Sequence, residues 1–190
     1  MMKIIKDVQA ALSGGNQIRV HGNGFLQLDL NTNTRLHVWG DPRIPHQKVD
    51  TPIHDHVFTF ESTIIKGALQ NNVYDICEGA SYQLYSARYR QGQDTVLVPY
   101  EDGRTCDIKL DSSTVLHWGT TYWMKHGVFH ESLPYNNEVA VSVMTRTPAI
   151  ITDRTAIVLV PLGQTPDNEF NRHGFEQRFL LKILGDALQL

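Results

Sequence analysis

The sequence lacks several features that mark the commonest protein classes. Its 190 residues contain only two cysteines, Cys77 and Cys106, which form no C-x-x-C pair, so reduced thiols are expected. No apolar run approaches the roughly 20 residues of a membrane-spanning helix. The N-terminal residues lack the apolar core and the cleavage site of a signal peptide. These absences predict a cytoplasmic protein with no membrane partner.

A surplus of positive charge is missing too. The chain has 17 Lys and Arg against 20 Asp and Glu, and its formal net charge is −3. Because surfaces that bind nucleic acid carry clustered basic residues, no nucleic-acid partner is predicted. The chain also has no phosphate-binding P-loop, no G-x-S-x-G nucleophile elbow and no dinucleotide-binding glycine motif. The common nucleotide-dependent and serine-hydrolase enzymes are therefore disfavoured.

Short strand-like runs make up most of the chain. From about residue 17 to 160, about a dozen runs rich in β-branched and aromatic residues alternate with turn residues. Apolar residues have helical spacing in the first twelve residues and again from about 170 to 188. This pattern predicts one all-β domain over residues 1–190, a closed barrel or sandwich with a short helix at each end. The C-terminal helix would cover an open edge or end of the barrel.

Closely spaced histidines are the strongest chemical signal. The run His54–Lys66 is predicted as a strand, which places His54 and His56 on one face. Glu61 lies five residues beyond His56, an odd offset, and reaches that face only through a bend or a change of strand. About 70 residues later, His130 follows a turn at the start of a new strand. Three imidazoles and one carboxylate are thus candidates for one site.

The first of these segments resembles the first conserved motif of the cupin superfamily. That motif contains H-x-H, three or four residues, and then Glu, as in His54, His56 and Glu61. Its closing glycine appears one residue early, as Gly67, and Lys48 stands at the position of its opening glycine. The match is complete at the ligand positions and departs at turn positions.

The second segment resembles the second cupin motif. Gly119, Gly127 and His130 match its spacing, whereas Lys125 replaces a proline and Pro134 replaces an asparagine. Together the two segments cover the central part of the chain, from about residue 20 to 146. The departures concern loop geometry more than metal binding.

The resemblance implies a double-stranded β-helix, the cupin barrel, with one divalent metal ion bound by His54, His56, Glu61 and His130. Such a ligand set suits Fe(II), Mn(II), Ni(II), Cu(II) or Zn(II). Four protein ligands on an octahedral ion leave two positions for a substrate and O₂ or water. Zn(II) prefers four ligands and would be closed off, so Fe(II) is the ion expected first.

Three functions are compatible with such a site. The favoured one is a mononuclear non-haem iron dioxygenase, similar to cysteine dioxygenase, acting on a small organic acid or thiol. The second is a metal-dependent isomerase or lyase in which Glu61 or His126 moves protons. The third is a non-enzymatic cupin that binds a small ligand or serves in an assembly.

Two further expectations concern substrate and oligomer. Arg35 shares a strand face with His37 and Trp39, and it would hold a substrate carboxylate if that face points inward. An exposed strand face is the alternative. The apolar region Val20–Leu30 is compatible with a homodimer formed through the N-terminal strands.

Overall fold

Strands dominate the structure, and a helix lies near each end. The computed structural model describes residues 2–48, 52–88, 95–147 and 155–189. The elements in these residues are α1 (Met2–Ser13), β1 (Ile18–His21), β2 (Phe25–Asp29), β3 (Thr34–Trp39), β4 (Phe60–Lys66), β5 (Ala68–Arg88), β6 (Val96–Pro99), β7 (Thr105–His117), β8 (Thr121–Met124), β9 (Phe129–Pro134), β10 (Ala140–Arg146), β11 (Ala156–Pro161) and α2 (Gln177–Leu188). A short 3₁₀ turn, Tyr135–Asn137, separates β9 from β10. The predicted all-β class with two terminal helices is confirmed.

The strands form two antiparallel sheets. The first has six strands in the order β1-β2-β3-β10-β4-β8. The second is built around the 21-residue strand β5, which pairs with β6, β7, β9 and β11. Every pairing is antiparallel, and β4 passes to β5, and so to the other sheet, through a single residue, Gly67.

Gly67 occupies a position that only glycine fits. Its φ is +68°, and an added Cβ would lie 2.5 Å from the carbonyl oxygen of Val139. A side chain here would meet both the left-handed backbone penalty and a backbone clash. The glycine found one residue early in the first motif is therefore the one that lets the chain change sheets.

The predicted strand His54–Lys66 is wrong in its first half. Regular pairing begins only at Phe60, and His54 makes isolated bridges to His130 and Val158. The residues between are an irregular connection that runs along β9 and β11. The segment is held by a few specific hydrogen bonds rather than by a ladder.

The largest aliphatic cluster of the described residues lies outside the barrel, between the six-stranded sheet and the two helices. Alternate residues of β1, β2 and β3, such as Val20, Leu28 and Leu36, pack against Val8 of α1 and Leu180 of α2. The C-terminal helix begins at residue 177 and covers this outer sheet face, not an open edge or end as predicted. The opposite face of the same strands is left for polar and aromatic side chains.

The C-terminal segment also closes one sheet edge. The backbone N–H of Val20 donates to the Arg172 carbonyl (3.0 Å), and that of Ile18 donates to Gln177 Oε1 (3.0 Å). These bonds occupy part of the exposed edge of β1. The homodimer through Val20–Leu30 stays a prediction.

Each helix has 12 residues, and within the described chain neither combines the length and apolarity that crossing a bilayer requires.

Candidate metal centre

Three histidines meet at one end of the cavity inside the barrel. The potential ligand atoms of His54, His56 and His130 all lie within 4.8 Å of one another. Their ring centroids are separated by 4.8, 4.9 and 5.2 Å. An ion placed between these atoms would be up to about 1 Å farther from each nitrogen than the ~2.1 Å metal–nitrogen bond length. Small side-chain rotations close that gap. The described residues thus bring three of the four predicted ligands together.

Backbone hydrogen bonds join the two motif segments that carry these histidines. The N–H of His54 donates to the carbonyl of His130 (3.0 Å), and the N–H of His130 donates back to the carbonyl of His54 (2.9 Å). The N–H of Gly127 donates to the carbonyl of His56 (2.9 Å). With φ of +75°, Gly127 makes the tight turn that the second motif predicted.

Two of the imidazoles have their tautomer set by the backbone. His54 Nδ1 lies 2.7 Å from the Pro52 carbonyl oxygen, and His130 Nδ1 lies 3.1 Å from that of Val128. A carbonyl only accepts, so each Nδ1 carries the proton and each Nε2 keeps a free lone pair. This is the arrangement that orients histidine as a metal ligand.

His130 is buried and His54 and His56 are half-buried, in a setting that favours the neutral form of all three imidazoles. Burial lowers the pKa of His130 to about 3, and nearby His54 adds to the effect. Burial is also the main cause that lowers the pKa of His54 and of His56, the latter well below 6.5. The ring of His56 stacks on Phe58 (4.9 Å between centroids) and meets Phe60 edge-on (5.2 Å). Neutral imidazoles with free lone pairs fit a divalent transition metal.

Asp55 fastens the ligand segment to β11. It is 0% exposed, and its Oδ1 accepts a hydrogen bond from the backbone N–H of Ile157 (2.7 Å). Its own N–H donates to the Ile157 carbonyl (2.9 Å). Because Asp55 lies between His54 and His56 in sequence, this clamp positions both rings.

The structure does not bring Glu61 to the three histidines. Phe60 and Ser62 line the cavity, so the intervening Glu61 points to the other face of β4. There it lies beside Trp123 and Thr145, its cross-strand partners. Glu61 belongs to the same strand as Phe60 and Ser62, because β4 begins at Phe60. No change of strand therefore compensates for its odd offset from His56.

His126 also lies away from the centre. It is exposed in the turn between β8 and β9, where its backbone N–H donates to Thr59 Oγ1 (3.3 Å). It is not among the residues that line the cavity. The two residues predicted to move protons, Glu61 and His126, are therefore both outside it.

The cavity has a volume of about 100 Å³ and is mixed in character. Apart from the three histidines, its lining is mostly aromatic, sulfur-containing or polar, with two further histidines and one arginine. These lining residues include His21, Phe25, Gln27, Arg35, His37, Trp39, Phe60, Ser62, Tyr122, Ser132, Ser142 and Met144. The strand face that carries Arg35, His37 and Trp39 thus points inward.

Sequence reasoning missed His21 as a cavity residue. The signal was present in the alternation along β1 to β3, where polar or aromatic residues alternate with aliphatic ones. His21, Gln27 and His37 fall on one face, while Val20, Leu26 and Leu36 fall on the other. Which face is internal follows only from where the helices pack.

The fold is a cupin-type barrel. Two antiparallel sheets, the change of sheet at Gly67 and a cavity bearing the motif histidines give the predicted architecture. No protein-family model matches the sequence, and no protein of curated function matches it either.

Comparison with solved structures finds 38 matching chains. One is hydroxypropylphosphonic acid epoxidase from S. wedmorenis in complex with fosfomycin, 9% identical, with a TM-score of 0.42 and coverage of 69% of this chain and 55% of that one. This chain thus spans little more than half the length of that one. The Drosophila melanogaster CENP-C cupin domain is 11% identical (TM-score 0.38), with 69% and 75% covered. Drosophila melanogaster CENP-C bound to CAL1 is 11% identical (TM-score 0.39), with 77% and 97% covered.

Proposed function

We propose that this cupin barrel is a mononuclear non-haem iron dioxygenase that acts on a small organic acid or thiol. His54, His56 and His130 would hold the ion. The observation that carries the proposal is the set of three converging, neutral imidazoles, two of which have their Nε2 lone pairs freed by backbone hydrogen bonds. Fe(II), when bound, would supply open coordination positions at which a substrate and O₂ can meet.

The ligand count supports an open, catalytic metal site over a closed structural one. With three protein ligands, an octahedral ion keeps three open positions, and even a tetrahedral ion keeps one. The cavity beside the histidines gives a small molecule access to those positions. A structural zinc site, in contrast, has four protein ligands.

The chain's own residues would shape this site in two ways. Asp55 and the two backbone carbonyls hold the imidazoles in place, so little reorganisation accompanies metal binding. Phe58 and Phe60 pack on His56 and keep the ligand end of the cavity apolar. The isomerase or lyase alternative relied on Glu61 or His126, and neither lines the cavity.

The test combines metal analysis with oxygen uptake. The protein is loaded anaerobically with Fe(II), its metal content is measured, and O₂ consumption is followed with a panel of small carboxylic acids and thiols. His56→Ala should weaken iron binding by more than about 100-fold, since a direct ligand matters at least as much as its outer partners. His126→Ala is the matched control and should keep the iron.

Three outcomes are informative. Equal iron in wild type and His56→Ala would refute the site. Iron without O₂ consumption on any compound would refute the dioxygenase. Redox-inert zinc as the only ion retained through purification would favour the isomerase or lyase.

A further inference from the structure

The cavity has a second polar region, formed by residues of β1, β2 and β3. We call it the arginine end and define it as His21, Gln27, Arg35 and His37. The three histidines line the same cavity. A ligand in the cavity would therefore meet both ends.

Arg35 is fixed in place yet keeps donors free. Its Nε donates to Asp29 Oδ1 (3.0 Å), and its two Nη groups make no hydrogen bond to any described residue. Asp29 is shared with Arg19, whose Nη2 lies 2.7 Å from Oδ2. Two guanidinium groups on one carboxylate leave one positive charge in excess. The fork of Nη1 and Nη2 matches the two oxygens of a carboxylate.

His37 adds a buried polar ring that lacks a protein partner. It is 8% exposed and lines the cavity, and its ring nitrogens make no hydrogen bond to any residue in the described ranges. It meets Phe25 and Trp39 edge-on, at 5.2 and 5.7 Å between centroids. The ring nitrogens are not fully enclosed by protein, so a ligand in the cavity can form hydrogen bonds with them.

His21 presents a donor at the same end. Its Nδ1 accepts a hydrogen bond from the backbone N–H of Asn23 (3.2 Å), so the proton of the neutral ring is on Nε2. Burial and the charge of Arg172 keep its pKa well below 6.5. The arginine end thus combines a cation with neutral rings and contains no acidic side chain among the described lining residues.

Stacked rings line the cavity beside the polar groups of the arginine end. His21 stacks on Phe25 (4.2 Å), and Phe25 stacks on Trp39 (4.1 Å). The cavity volume of about 100 Å³ is smaller than the roughly 150 Å³ of an engineered cavity that holds benzene. The space suits a short organic body of a few carbon atoms.

We propose that the arginine end binds the carboxylate of a small organic acid, with Arg35 and His37 as the recognising residues, and that the other end of this acid reaches the metal centre. The second clause rests on the proposed function, and the first does not. The substrate class is therefore a short carboxylic acid rather than a neutral thiol or a bulky ring system.

The test uses propionate and its neutral isostere propionamide as probes. Binding of each is measured by calorimetry to the purified protein with its metal, and metal content is determined on the same samples. Arg35→Gln should weaken propionate binding by at least about tenfold, as expected for lost hydrogen bonds to a charged group. Arg19→Gln is the matched control. It removes the other arginine that contacts Asp29, and Arg19 does not line the cavity.

Two more variants distinguish a loss of carboxylate recognition from a loss of folding. Arg35→Lys keeps the charge and should give intermediate propionate binding, because the fork is lost. His37→Phe keeps the ring volume and should weaken propionate binding while leaving the metal content unchanged.

The results separate this proposal from the proposed function. Loss of propionate binding in Arg35→Gln with metal unchanged supports the arginine end. If the purified protein binds no metal but still prefers propionate through Arg35, the proposed function fails and the carboxylate site stands. Equal binding of propionate and propionamide, no binding of propionate to the wild type, or equal losses in Arg19→Gln and Arg35→Gln would each overturn the inference.

Discussion

Replacing Asp55 tests whether the clamp on β11 sets the metal ligands. In Asp55→Ala, the backbone N–H of Ile157 loses its 2.7 Å acceptor in a fully buried position. A hydrogen bond to a charged group contributes about 1.5–3 kcal/mol. At about 2–4 °C per kcal/mol for a chain of this size, the melting temperature should fall by roughly 3–12 °C.

Metal affinity should fall with the same substitution. His54 and His56 flank Asp55, so releasing the segment from β11 lets both rings leave their positions. Loss of groups that orient metal ligands typically costs about 10–100-fold in metal affinity. The assay is competition with a chelator of known affinity, run beside urea unfolding of the metal-free and metal-loaded protein.

Two controls make this prediction specific. Asp55→Asn retains an oxygen that can accept from Ile157 and should recover most of the metal affinity. Asp107→Ala removes a carboxylate that accepts from the Ser81 N–H (2.8 Å) on the β5–β7 ribbon, and it should leave metal affinity unchanged. A stable Asp55→Ala protein with wild-type metal affinity would refute the clamp.

Two other predictions concern stability. Burial, together with Arg35, lowers the pKa of His37 to about 3 although Asp29 opposes the shift, so between about pH 6.5 and 3 only the unfolded chain holds this proton. The metal-free protein should therefore lose stability as pH falls through that window. His37 alone contributes up to about 1.4 kcal/mol per pH unit to this slope, so His37→Phe should make it shallower by up to that amount in urea unfolding. Leu180→Ala should lower the free energy of unfolding by about 2–5 kcal/mol, because Leu180 is 0% exposed on the buried face of α2. Leu181→Ala, at a position 42% exposed, should lower it by less than about 0.5 kcal/mol. Equal effects of the two leucine variants would contradict the packing of α2 on the outer face of the sheet.

The ligand histidines were predictable from the sequence, although the local structure differs from the one expected. Strand parity placed His54 and His56 together, yet this segment makes only isolated bridges at His54. The two-residue spacing still works because hydrogen bonds from His130, Gly127 and Ile157 hold the segment beside β9 and β11. Such long-range hydrogen bonds leave no local pattern in the sequence.

Glu61 shows the limit of motif spacing. The motif includes it, whereas parity requires a bend that shifts the register by one residue. The chain does bend at residues 57 and 58, but Phe60 and Ser62 still line the cavity as His54 and His56 do, so Glu61 stays on the other face. A one-residue change in register moves a strand side chain to the opposite face. Spacing alone cannot show that change, since it depends on where regular pairing begins, here at Phe60.

The unusual placement of the core explains why the cavity can carry so many polar groups. In β1, β2 and β3 the aliphatic residues face α1 and α2, so burial of apolar surface takes place on the outer side of the sheet. The inner side is then free to hold Arg35 and His37, which a packed barrel core would exclude. Stability and ligand binding are thus carried by opposite faces of the same strands. It follows that Leu180→Ala should lower stability without altering the preference for propionate. Arg35→Gln should abolish that preference while leaving stability nearly unchanged.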